Sequence, residues 1–346
     1  MKIAVYGASG YTGRLVLAEL ARRGIPAVLA GRDQERLAAA AAEAGIPGSE
    51  TALAALGDPA LPDAFAGCDV VINCAGPFIT SGELVVQAAI TAGCHYVDIS
   101  GEQLYLHQVF ARFGRLAADA GVTVMPGAND DALPSSLIAQ LAAERVAPVS
   151  ELVIAIDLSG SEAAPSRGTL RSALANLGTF QDGGLSYDDG AWRPDVPARR
   201  ESVTFPGEPD AVPVVKFPLP GVATIPRHVP ASHIEAVARA TLVELFSGIT
   251  PDLIAAVPEG PSPASRAATR WTILAEATST DGRRARGLVS GPDTYGTTAV
   301  IAVESARRLA SQEAKPGVLA PAQAFDPAGF LDFLTANHTA TWSIED

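Results

Sequence analysis

Residues 7–13 read Gly-Ala-Ser-Gly-Tyr-Thr-Gly, and the apolar run Ile3-Ala4-Val5-Tyr6 leads straight into them. Such a run reads as a buried parallel strand. Beyond the glycines, residues 14–23 read as a helix: Glu19, Arg22 and Arg23 share a polar stripe, with Leu15, Val16, Ala18 and Leu20 around the rest. Gly24 follows, where a helix C-terminus favours glycine. A strand, a GxxGxxG turn and a helix in that order leave few folds open. One glycine allows the tight turn, one lets backbone N–H groups approach a pyrophosphate, and one lets helix and strand pack closely. The helix N-terminus adds partial positive charge. The motif predicts a dinucleotide held by Gly7, Ser9, Gly10, Tyr11, Thr12 and Gly13; the alternative is a glycine-rich turn without a ligand.

The alternation continues. Strands are expected at 27–30, 69–73, 95–99 and 122–125, and helices at 34–44, 82–92 and 103–120. This βαβα rhythm predicts an α/β fold, a doubly wound parallel Rossmann sheet. After about residue 128 the rhythm changes. A helix at 134–145 precedes a strand at 151–158, then a Gly-, Pro- and Asp-rich stretch to about 220 with a short strand at 212–217. Strands at 271–278 and 284–290 read as a hairpin across Asp281-Gly282. Helices follow at 296–311 and from Asp326. The expected organisation is a Rossmann nucleotide-binding domain over 1–128, an α+β second domain over 129–295 and a helical C-terminal segment over 296–346.

Cofactor choice turns on the end of the second strand. Sites that prefer NAD place an acid there for the ribose 2′-OH, whereas an arginine suits the 2′-phosphate of NADP. This chain has Ala30-Gly31-Arg32, so NADP(H) is expected over NAD(H); a surface arginine at a helix start is the alternative. Asp33, one residue on, reads as the cap of the next helix. The loop Asn73-Cys74-Ala75-Gly76-Pro77-Phe78 follows the strand at 69–73. Ligands of doubly wound sheets lie beyond the carboxyl ends of their strands. Asn73, Ala75, Gly76 and Pro77 are therefore expected at the cofactor and Phe78 at the substrate, unless the loop is a structural Gly-Pro turn.

The net charge of −13 argues against nucleic-acid and anionic-membrane partners, which need a basic footprint. No stretch approaches the ~20 apolar residues of a membrane span, and residues 1–13 do not read as a secretory signal. A cytoplasmic protein acting on a small molecule is expected. Cys68, Cys74 and Cys94 form no CxxC pair, and the five histidines do not meet them at ligand spacing, so no metal site is expected. Short-chain dehydrogenases share the glycine pattern but need Tyr-x-x-x-Lys. None of the six tyrosines here has a lysine four residues on, which excludes their standard mechanism.

The ordered pieces Gly7–Gly13, Ala30–Arg32, Asn73–Phe78, His95-Tyr96-Val97-Asp98-Ile99-Ser100-Gly101-Glu102, Pro126–Ser135, Arg167-Gly168-Thr169, Gly291–Gly296 and Gly317–Pro321 resemble the saccharopine dehydrogenase-like oxidoreductases. That group is also called saccharopine reductase-like or trans-acting enoyl reductase-type. The resemblance implies an NADP-binding domain, an α+β substrate and dimerisation domain, hence a homodimer, and C-terminal helices packing back on the first domain. Where many members read Gly-Phe-Asp-Ser-Val-Pro-Ser-Asp, this chain has Asn129-Asp130-Asp131-Ala132-Leu133-Pro134-Ser135-Ser136, without the aromatic or the final acid. The lysine and histidine acid/base groups of the lysine-forming saccharopine dehydrogenases are not carried over, because the only lysines are Lys2, Lys216 and Lys315.

Hydride transfer needs a proton source or a polarising donor. Tyr96, Asp98 and Glu102 follow or end a strand, Asp131 follows the next one, and His228 has an ordinary pKa near neutrality. Tyr96, Asp98, Asp131 and His228 are the catalytic candidates; a capping or turn role is the alternative for Asp98 and Glu102, and a structural role for His228. Arg167 and Arg227 suit a substrate carboxylate or phosphate, with surface arginines as the alternative. The expected activity is NADPH-dependent reduction of a C=N, C=O or activated C=C bond of a small metabolite. A dinucleotide-binding redox sensor without catalysis is the other reading.

Overall fold

Seven short strands, all paired in parallel, form the sheet that carries the glycine turn. In a computed structural model, which describes residues 1–160, 165–244, 246, 248–311 and 315–345, they alternate with helices. The order is β1 (Ile3–Tyr6), α1 (Tyr11–Arg22), β2 (Ala27–Gly31), α2 (Gln34–Glu43), β3 (Glu50–Leu53), β4 (Val70–Asn73), α3 (Phe78–Thr91), β5 (His95–Asp98), α4 (Gln103–Asp119) and β6 (Thr123–Met125). Across the sheet the order is Gly317–Val318, β6, β5, β4, β1, β2, β3. The chain builds outward from β1 in one direction, then restarts at β4 in the other. Right-handed crossovers then place helices on both faces. The central strands are buried end to end, Ile3, Val5, Leu29 and Ile72 completely, as a sheet covered on both sides requires.

Two helices start earlier than the sequence pattern indicates. α1 begins at Tyr11, inside the glycine motif, and α3 begins at Phe78 because Pro77 stands as its N-cap. β3 is an edge strand with no fully buried residue, and its sequence Glu-Thr-Ala-Leu has no apolar run to betray it.

The described residues form two compact units. The first is Met1–Ser100, Gln108–Asn129 and Thr298–Leu319; the second is Gly101–His107, Asp130–Thr297 and Ala320–Asp346. The C-terminal segment is therefore shared. In the first unit, fully buried Glu304 of the helix Thr294–Ser311 accepts from Arg23, Arg307 and Arg308 at 2.7–2.8 Å. Burial alone would raise its pKa, but these guanidinium bonds hold it below the usual carboxylate range. Residues 320–346, expected with the first domain, group with the second.

The second unit has α5 (Ala132–Val146), β7 (Val149–Ser159) and a nine-stranded sheet. The main path runs Ser202–Val203, Val212–Lys216, Ala231–Arg239, β7, Arg270–Ser279, Arg284–Pro292, Thr341–Glu345. Among the described residues of this sheet, only Ala231–Arg239 and β7 pair in parallel. A small hairpin, Ser186–Asp188 with Ala191–Arg193, adds to Ala231–Arg239. One side of the sheet is closed by Val203 and Phe205 packing with Val153, Ala155, Val214, Val237 and Leu274. The strands at 231–239 and 341–345 are findings of the structure.

Candidate functional site: a dinucleotide cradle and a separate polar cluster

In the first unit, β1 delivers the chain to Gly7, whose φ of 77° is left-handed. Its N–H donates to Ala30 O at 3.0 Å, and its carbonyl accepts from Gly10 N at 3.0 Å. The turn is pressed against the loop after β4. A Cβ on Gly7 would lie 2.9 Å from Ala75 N, and a Cβ on Gly13 would run into the carbonyl oxygen of Gly7. Both positions therefore exclude a side chain on contact grounds. Gly10 is the extended N-cap of α1 and supplies no side-chain oxygen, so this helix N-terminus is open to an external anion. A cradle that any Cβ would fill, at a helix N-terminus and at the point where the strand order reverses, fits the pyrophosphate of a dinucleotide.

Basic groups surround the turn. Arg14 Nε and Arg36 Nη2 donate to Ser9 O at 3.2 and 3.4 Å. Arg32 is exposed just past the end of β2. Burial raises the pKa of Tyr6, and the charge of Arg32 pulls it the other way. Asp33 is committed elsewhere: its carboxylate accepts from Arg36 N at 3.1 Å and caps α2. Arg36 was not among the expected site residues. Its spacing four residues beyond Arg32 on a helix start is the signal that would have found it.

The loop after β4 is held from behind. Asn73 Oδ1 accepts from Ala75 N at 2.9 Å, and Asn73 Nδ2 donates to Tyr96 Oη at 3.0 Å. Tyr96 Oη donates to Asp98 Oδ2 at 3.0 Å, while Asp98 Oδ1 accepts from Ser100 N and Gly127 N at 3.0 and 2.9 Å. Asn73, Tyr96, Asp98 and Ser100 are all fully buried. Tyr96 and Asp98 thus connect the ends of β4, β5 and β6. Ser81 Oγ closes the loop on Ala75 O and Pro77 O at 3.1 and 2.6 Å. Phe78 is buried at the start of α3. Burial and the nearby Asp98 push the Cys74 thiol up, which keeps it protonated.

The remaining candidates belong to the second unit. Asp131 is half-buried at the N-cap position of α5, where its carbonyl accepts from Ser135. His228 uses both ring nitrogens: Nε2 meets Ser136 Oγ at 2.9 Å and Nδ1 meets Gln140 Oε1 at 2.7 Å. Burial pulls its pKa down to about 4, so the ring is neutral at pH 7. Arg167 is spent on backbone: it donates to Val257 O at 2.7 Å and Ala255 O at 3.2 Å, at the end of the helix Pro251–Ala256. Glu102 accepts from Asn176 Nδ2 at 2.9 Å. Arg227 stacks over Trp192 with 5.0 Å to the ring centroid. Structure therefore joins Tyr96 with Asp98 and Asn73, and His228 with Ser136, but keeps Arg167 apart from Arg227 in its bonding.

Residues 3–125 match the family described as saccharopine dehydrogenase NADP binding domain. The human saccharopine dehydrogenase-like oxidoreductase is 32% identical over 152 residues, covering 39% of this chain and 35% of that protein. A lipid droplet localized protein of Caenorhabditis elegans is 31% identical over 146 residues, covering 39% of this chain and 34% of its own. The chain spans about a third of the length of these curated relatives. Among solved structures, apo saccharopine dehydrogenase (L-Glu forming) from Saccharomyces cerevisiae aligns over 100% of both chains with a TM-score of 0.63 at 15% identity, a likeness of fold. The match at residues 3–125 runs from β1 to β6 and includes the glycine cradle, so this stretch is similar to the saccharopine dehydrogenase NADP binding domain family.

Proposed function

We propose that the protein is an NADPH-dependent oxidoreductase that reduces a C=N, C=O or activated C=C bond of a small metabolite. The observation that carries this reading is the cradle at Gly7 and Gly13, backed by a helix N-terminus and flanked by Arg32 and Arg36. Asp33 is occupied as a cap and so is a poor partner for a ribose 2′-OH, which favours the phosphorylated cofactor. When bound, NADPH supplies the hydride; the chain's own residues bind and orient it. Tyr96 and Asp98 serve by fixing the loop after β4. Asp131, half-buried at the start of α5, is the acid in this reading. Among the described residues no helix is long and apolar enough to cross a membrane. A cytoplasmic homodimer built through the second unit completes the proposal, and its mass in solution checks it.

One observation favours the other reading, a redox-sensing dinucleotide binder. Three of the four acid/base candidates are closed into hydrogen-bond networks: Tyr96, Asp98 and His228. The two readings separate on one experiment. NADPH is mixed with a panel of imines, ketones and enoyl thioesters, and loss of its absorbance is followed. Substrate-dependent loss supports the reductase. Tight NADPH binding with no turnover across the panel ends it in favour of the sensor.

A further inference from the structure

The outer strands of a sheet present unpaired N–H and C=O groups, and proteins blunt them with short strands, charges, proline or a covering element. Most outer strands of this chain are blunted in these ways. Gly317–Val318 and Ser202–Val203 are two residues long. Ala191–Arg193 has three residues and runs into Pro194. β3 starts at the charged Glu50, which Lys2 Nζ holds at 2.8 Å, and its Thr51 Oγ1 accepts from Gln34 Nε2 at 3.1 Å.

The outer strand Thr341–Glu345 of the second unit differs. Its five residues include no lysine, arginine, proline or glycine. It pairs with Arg284–Pro292 in one unbroken register, from Thr341 opposite Ser290 to Glu345 opposite Arg286. Among the described residues no strand pairs with its other side, and none of its backbone groups bonds outside that ladder. The strand is held firmly from within. Ile344 Cδ1 lies 3.1 Å from where a Cβ on Gly287 would stand, and Trp342 Nε1 donates to Asp332 Oδ1 at 3.0 Å. Trp342 and Ile344 lie two residues apart and so share one face of the sheet. Both are only half-buried, which leaves apolar surface beside the open edge.

We propose that Thr341–Glu345 pairs antiparallel with the same strand of a second copy of this chain, about a two-fold axis through Ser343. Such an axis brings residue i of one copy against residue j of the other, and j against i. Trp342 of each copy then meets Ile344 of the other on one face, an aromatic and a β-branched side chain that pair well across strands. The only charge on the strand, Glu345, meets the neutral Thr341, so no like charges oppose. A five-residue ladder covers less than a standard interface of about 1,600 Å², so the dimer is expected to dissociate on dilution. The pairing rests on the homodimer of the proposed function and supplies its surface.

The test is sedimentation equilibrium of the full chain and of variants at Thr341 and Glu345, both exposed. Thr341→Glu sets two pairs of like charges across the axis and is expected to raise the dimer dissociation constant about tenfold. Thr341→Lys makes two opposite-charge pairs and is expected to lower it by about threefold. Adding Glu345→Lys to Thr341→Glu should restore the wild-type constant or better. Within one copy these residues stand about 13 Å apart along the strand, so rescue can arise only between copies. A dimer whose constant ignores all three variants would overturn the edge pairing and leave the homodimer standing. A wild type that stays monomeric at every concentration would overturn both, while NADPH turnover, followed separately, would still decide the oxidoreductase reading.

Discussion

The glycine cradle of the first unit and the hairpin that carries Trp192 in the second are built on opposite principles. The cradle is fixed by what cannot be present. Gly7 and Gly13 sit where any Cβ meets backbone, and that constraint is local, seven residues long and written directly in the sequence. The hairpin is fixed by charges brought together from far apart. His233 on Ala231–Arg239 bonds Asp188 Oδ1 at 2.7 Å and lies 3.3 Å from Glu235 Oε2, with His233 and Glu235 both fully or almost fully buried. Glu235 also accepts from Arg199 N and Arg200 N at 2.7 and 2.8 Å. Steric exclusion survives as a motif; long-range charge pairing leaves only scattered polar letters. The contrast predicts that single changes act sharply in the cradle and gradually at the hairpin.

The largest effect is expected from Gly13→Ala. The added methyl would collide with Gly7 O, and Ala8 O lies 2.9 Å from the same point, both backbone atoms that cannot swing away. The start of α1 must shift, and NADPH affinity is expected to fall about 100-fold or more, about 2.7 kcal/mol. Gly24→Ala is the control. Its φ is left-handed, 64°, but its Cβ would meet nothing within 4 Å, so the cost is about 1 kcal/mol of stability with binding intact. NADPH titration beside thermal unfolding distinguishes them. Similar binding losses in both variants would mean that the cradle is not fixed by contact.

The same contrast explains what could be read from the sequence. The βαβ rhythm, the α2 cap at Asp33 and the hairpin around Asp281-Gly282 were legible because each rests on neighbours in the chain. Helix starts were less so. α3 begins at Phe78 because Thr80 Oγ1 and Ser81 Oγ bond back to Pro77 O, which no apolar period reveals. Ala231–Arg239 was illegible for a deeper reason. Alternation assigns polar side chains to solvent, yet His233 and Glu235 point into buried partnership with Asp188 and the 199–200 backbone. Tyr96 and Asp98 were found as strand-end residues, but their full burial in a loop-holding network needed the neighbouring strands.

A moderate effect is expected from Arg32→Ala. An exposed arginine just past the end of β2 offers one charge-assisted contact to a 2′-phosphate, about 1.5 kcal/mol at an exposed site, so NADPH affinity should fall about tenfold. NADH lacks that phosphate and should bind as before. Arg36→Ala should show the same preference more weakly, because Arg36 is already engaged with Ser9 O at 3.4 Å. Parallel titrations with both cofactors decide it: equal losses for NADPH and NADH would remove Arg32 from the ribose end.

The smallest and most gradual effect belongs to the hairpin, and its sign follows from two opposed shifts. Burial lowers the pKa of His233, but its bonds to Glu235 and Asp188 outweigh burial and leave it raised. Burial raises that of Glu235, but His233 and the Arg199 and Arg200 amides leave it lowered. Arg199 pairs with Asp188 at 2.8 Å, Arg200 approaches Glu151 at 3.8 Å on β7, where Glu151 is the register neighbour of His233, and Lys216 lies near enough to feel Glu235. A raised histidine stabilises below its unfolded pKa of about 6.5 and loses that contribution as pH rises through its folded value. A depressed carboxylate stabilises above about 4.3 and loses it as pH falls. Both contributions are present between those limits. His228, pulled down to about 4 by burial, runs oppositely and is lost on acidification, so the whole-protein curve mixes the two. The difference between wild type and His233→Gln isolates the hairpin: the wild-type advantage in melting temperature should be largest near pH 6 and shrink toward about pH 9. An advantage that stays constant over that range would show His233 to be neutral, and the hairpin to be held by shape, as the cradle is.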